Sequence, residues 1–132
     1  AATTKNTIYI SAGFVKKNPD DFGMVLHELT HVIQAYPKYD PVWLVEGVAD
    51  YVRYWHCEIG MREFPITEKS NYTDSYGTTA RFLAWIAVTK DSRIVKKLDL
   101  ALRGGKYEEG IFREATGKDL KELWREFATA VR

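Results

Sequence analysis

Residues 27–31 read His-Glu-Leu-Thr-His, two imidazoles four positions apart with a carboxylate beside the first. On a helix, residues four apart stand one turn above each other on one face, so both rings can reach a single ion. This H-E-x-x-H spacing suits zinc, and Glu28 projects to the side of the pair, where it can hold the attacking water and take its proton. The plain alternative is chance, or two histidines that merely pack in a core. Helical context weighs against it. Phe22, Leu26, Leu29 and Ile33 centre about 150–180° from the two rings, at about 100° per residue. The His face, shared with Met24 and Gln34, therefore points away from the expected packing stripe, as in a helix that lines a cleft.

Catalytic zinc takes three protein ligands and keeps one position for water. A third His at position 37 with Gly at 34 would mark the metzincin pattern, but Gln34 and Pro37 stand there. The next candidate is Glu46-Gly47-Val48-Ala49-Asp50. Glu46 and Asp50 are four apart and face away from Val45, Val48 and Val52, so Glu46 can complete the metal shell. Asp50 can then hold a ligating imidazole by its other nitrogen, which metal-bound histidines need. The competing reading is a solvated acidic face paired with Arg53. The short, proline-bounded connection between the two segments brings them together and favours the site.

These residues need elements to carry them. Thr7–Ser11 reads as a short strand of β-branched and aromatic residues. Asn18-Pro19-Asp20-Asp21 predicts a helix start, which Pro37 ends. A second helix is expected from Asp40-Pro41 to about Cys57, with Val45, Val48, Ala49, Val52 and Trp55 on its apolar side. Residues 58–75 turn polar and irregular, a length of loop that is often functional. Helices follow at about 78–90, 92–103 and 107–116, and Asp119 with Glu122 forms a capping box for a last one through Val131. One strand makes no sheet. Either residues near the N-terminus pair with it or the natural protein carries further strands, and the second is the expectation here. His56 is expected to cap carbonyls rather than bind metal, and Cys57 to be a small buried hydrophobe.

The chain has 132 residues, enough for one domain with a single core. Lys+Arg total 19 against Asp+Glu 18, a near-balance that gives no support for a nucleic-acid or anionic-membrane partner. No apolar run approaches the roughly 20 residues that span a bilayer. One cysteine excludes an internal disulfide and a Cys-based zinc cage.

The strings HELTHVIQ, WLVEGVADYVR and SYGTTARFL, with the closing KLDLALRGGKYEEGIFREATGKDLKELWREF, resemble the basic secretory protein family of plants and bacteria. That family is one of gluzincin-like zinc peptidases, and the likeness runs from about residue 8 to the end. It implies a predominantly helical α+β fold, a zincin-like (thermolysin-like) catalytic domain over residues 1–132 with a short or truncated N-terminal sheet. It implies His27, His31 and Glu46 as zinc ligands, Glu28 as base and Asp50 as the partner of a ligating ring, the same roles that the spacing suggests. Tyr76, at the end of the long loop and matching the family's tyrosine, is the first choice as oxyanion donor, with Tyr54 and Arg81 next. Secretion or a periplasmic location, a peptide or protein substrate and a monomeric state are expected. Family members usually carry an acid where Gly77 stands. The strand near Ile8 could pair with an extended substrate. The rival readings are a non-catalytic zinc-containing binding or defence module and a glycan-binding protein. Glu28 argues against the first, since a structural site needs no base.

Overall fold

The computed structural model describes residues 1–61 and 64–132. Strand β1 (Ala2–Thr4) runs antiparallel to β2 (Thr7–Tyr9), with Thr3 opposite Ile8. The expected strand thus finds its partner at the N-terminus of this chain itself. Ser11 then accepts from the Phe14 N–H and opens a short helix that the sequence pattern did not predict, α1 (Ala12–Lys17).

Asn18 does not start the next helix, as expected, but closes α1: its side-chain amide donates to the Phe14 carbonyl. Asp21 takes over the opening of α2 (Gly23–Gln34), accepting from the Met24 N–H at 3.1 Å. Ala35, in the left-handed region, ends α2 two residues before Pro37. Helix α3 (Val42–Val52) continues as a π-helical turn, Arg53–Cys57. Two 3-10 turns, Ile59–Met61 and Tyr72–Asp74, interrupt the polar segment. Helices α4 (Tyr76–Thr89), α5 (Ile94–Arg103), α6 (Gly110–Thr116) and α7 (Leu120–Val131) follow. Asp119 and Glu122 form the expected capping box. The fold is α+β and predominantly helical.

The core lies between α3 and the four later helices. Leu44, Val45, Phe82, Leu83, Ile86, Leu98, Phe112, Leu123 and Phe127 are fully enclosed there. Each such side chain contributes about 1.5–3 kcal/mol of burial. Helices α3 and α4 pack closely at Gly47, where an added Cβ would sit 2.3 Å from the Thr79 Cγ2. Thr79 is wholly buried and its hydroxyl donates to the Tyr72 carbonyl, so it has nowhere to retreat. Gly47 thereby lets α3 lie against α4 with its neighbours Glu46 and Asp50 turned toward α2.

Helix α2 corrects an expectation. Its apolar stripe is not the packing face: Phe22 is 71% exposed and Ile33 62%, with Val25 and Leu29 also exposed. Its buried residues are Gly23 and the polar His27, Glu28, Thr30 and Gln34. Periodicity separates the two faces of a helix but does not say which one meets the protein. Here the polar face finds hydrogen-bond partners on α3 and β1, and these offset the cost of burying it. Cys57 is exposed rather than buried. His56 is exposed too, with its ring edge-on to Tyr51. Among the described residues, no helix is long and apolar enough to cross a membrane.

Candidate metal centre

His27 and His31 lie one turn apart on α2, and Glu46 reaches them from α3. The Glu46 Oε2 is 2.9 Å from the His27 Nε2 and 3.4 Å from the His31 Nε2, and the two Nε2 atoms are 3.1 Å apart. Bonds of about 2.0–2.1 Å around a tetrahedral ion would give ligand–ligand edges of about 3.3 Å. The three atoms already stand close to that spacing. Among the described residues they are the group of His, Cys, Asp or Glu side chains that could hold a metal ion. Two imidazole nitrogens and one carboxylate suit a transition metal better than magnesium or calcium, which prefer oxygen donors.

Each ring is oriented from behind. The His27 Nδ1–H donates to the Asp50 Oδ1 at 2.6 Å, and the His31 Nδ1–H donates to the Gln34 Oε1 at 2.8 Å. The Gln34 amide nitrogen donates in turn to the Val45 carbonyl, which sets its orientation. Both bonds put the proton on Nδ1 and turn Nε2 toward the centre. Gln34 was legible only as a residue on the His face. Its signal is the three-residue spacing from His31. Glu46 and Asp50 are not a solvated face, being 8% and 5% exposed. Arg53 is engaged elsewhere, with Asp21 and Glu58.

Burial alone would lower the His27 pKa, but hydrogen bonds and charge from Asp50 and Glu46 outweigh it and raise it to about 9. Burial would raise that of Glu46, yet bonding to His27 and His31 draws it down to about 2. The His27–Glu46 bond contributes to both displacements, with Asp50 adding to the first and His31 to the second. In metal-free protein His27 gains a proton on folding, so its contribution is complete below about pH 6.5 and lost as pH rises to about 9. The Glu46 contribution is complete above about pH 4.5 and lost as pH falls toward 2. Denaturant unfolding of chelator-treated protein should therefore show stability falling by roughly 2–3 kcal/mol between pH 6.5 and 9. Stability that stays flat or rises over that range would contradict the ion cluster.

Glu28 is buried beside the cluster, and its Oε2 accepts from the Thr3 hydroxyl at 2.5 Å. The first choices by sequence, His27, Glu28, His31, Glu46, Asp50 and Tyr76, line one cleft of about 670 Å³. That volume falls in the range of small-molecule and peptide side-chain sites. The Tyr76 ring stacks on His27 at 6.0 Å and is otherwise more than half exposed. Charge from Glu46, then burial and the charges of Asp50 and Glu28, raises its phenol pKa and keeps it a proton donor. Tyr54 also lines the cleft. Arg81 is not among the lining residues, and it donates to the Phe64 carbonyl. At Gly77 an added Cβ would strike the Phe64 ring at 2.0 Å, so an aromatic ring fills the space that a side chain there would need. The strand at the cleft is β1, through Ala2 and Thr3, rather than the Ile8 strand expected to border it.

A family model described as "Peptidase of plants and bacteria" (BSP) matches residues 1–127, nearly the whole chain and including every residue of the cleft. No curated protein and no solved structure matches it.

Proposed function

The chain belongs to the BSP family, peptidases of plants and bacteria, and on that premise we propose that it is a zinc-dependent peptidase built as one zincin-like, thermolysin-like catalytic domain. His27, His31 and Glu46 would hold the ion, with Asp50 and Gln34 fixing the rings. When bound, zinc lowers the pKa of a coordinated water toward about 7 and polarises the scissile carbonyl. Glu28 accepts the proton of the attacking water and returns it to the leaving amine. Tyr76, kept protonated by its acidic surroundings, donates to the oxygen on which charge develops. The substrate is a peptide or protein, cleaved by a monomer in a secreted or periplasmic setting.

One observation carries this reading: two imidazoles and a carboxylate converge within bonding range of a common point, with a second buried carboxylate beside them in the same open cleft. A ring-and-carboxylate cage alone would serve structure. The adjacent Glu28 supplies the base that hydrolysis needs and a structural metal site does not. Incubating zinc-loaded protein with a mixed peptide library and reading new termini by mass spectrometry tests it. Cleavage should disappear on chelation and return with added zinc. Cleavage that persists in protein stripped of metal would refute the mechanism.

A further inference from the structure

We propose that Thr3, from the N-terminal hairpin, is the residue that positions Glu28 for proton transfer, an inference that rests on the hydrolytic reading above. Thr3 is the inward-facing residue of β1: Ala2 and Thr4 on either side are exposed, and Ile8 opposite shares its face. Its hydroxyl lies 2.5 Å from the Glu28 Oε2 and 3.2 Å from the Glu28 main-chain carbonyl. One hydroxyl proton serves one acceptor at a time, and the shorter, charged acceptor takes it. Among the described residues Thr3 supplies the hydrogen bond that the Glu28 carboxylate receives. The other partners of the cluster leave Glu28 alone: Asp50 and Glu46 bond His27, and Gln34 bonds His31.

The consequence for chemistry is geometric. A glutamate has three rotatable side-chain bonds, and a base must be held within hydrogen-bond reach of the proton it takes. A donor on Oε2 restrains the carboxylate and leaves the lone pairs of Oε1 free to accept a proton. Thr3 brings no charge of its own and touches neither Nε2 atom, so it orients the base without altering the metal ligands. Its β-branch restricts χ1 and helps to aim the hydroxyl. The same bond to the Glu28 carboxylate ties the hairpin to α2. A two-stranded ribbon this short has little stability of its own, and this tie is one of the contacts that seat it.

The test compares Thr3→Val, which keeps the shape and removes the donor, with Thr3→Ser, which restores it, using zinc-loaded protein and one peptide substrate. Thr3→Val should lower kcat by roughly 10–100-fold with KM and zinc content unchanged, and Thr3→Ser should recover most of the loss. A wild-type kcat in Thr3→Val would overturn the assignment. So would a loss confined to KM or zinc content, or a loss that Thr3→Ser does not relieve. If valine prevents folding, Thr3→Ala is read by the same criteria. Glu28→Gln measured alongside separates the two claims. Should it be as active as the parent, the hydrolytic reading fails; should it be inactive while Thr3→Val is unimpaired, only the role of Thr3 fails.

Discussion

Glu28→Gln should lower peptide turnover by roughly 10²–10⁴-fold, the usual contribution of a positioned general base. The amide has nearly the shape of the carboxylate, and its oxygen can still accept from the Thr3 hydroxyl. It cannot take a proton from water. Because the Glu28 side chain bonds Thr3 rather than His27, His31 or Glu46, metal stoichiometry and affinity should hold at the parent's values. The pairing of intact metal binding with lost turnover is what distinguishes a base from a structural acid. Elemental analysis of the purified variant beside its kcat reads both. Equal, non-zero turnover in parent and variant would remove Glu28 from the chemistry.

Glu46→Gln should weaken zinc binding by roughly 10²-fold. Structural zinc sites bind with about 10–16 kcal/mol over four ligands, so one anionic ligand carries on the order of 3 kcal/mol. The loss is compounded at His27, whose Nε2 faces the lost charge at 2.9 Å. Asp50→Asn, which leaves the three ligand atoms in place and weakens only the bond to the His27 Nδ1, should cost less, about 10–100-fold. Both acids act on one ring, so the double variant should lose less than the sum of the two. Competition with a chromophoric chelator gives the affinities. A Glu46→Gln protein that binds zinc like the parent would move the third ligand elsewhere.

The parts of this centre that were legible in sequence are those fixed by helix geometry. A four-residue spacing places His27 above His31 whatever surrounds them, and the same rule sets Glu46 above Asp50. That these two helices face each other followed from the short connection through Pro37 and Pro41. What escaped was long-range. Thr3 meets Glu28 across 25 residues, a contact without a periodic trace. The outward turn of Phe22, Val25, Leu29 and Ile33 escaped because an amphipathic pattern does not reveal which face is covered. Asn18 looks like a helix start in sequence because its amide can cap either end. Only the path of the chain shows that it closes α1 while Asp21 opens α2. The pairing of β2 with Ala2–Thr4 leaves no sequence signal because Ala-Thr-Thr has too little apolar content to announce a strand.

The most direct measurement is anomalous scattering at the zinc edge from crystals grown with zinc. The proposed centre requires one peak about 2.0–2.2 Å from the His27 Nε2, the His31 Nε2 and a Glu46 carboxylate oxygen, with a coordination position left open toward Glu28. A peak elsewhere, or Glu46 turned away from both rings with zinc present, would contradict it.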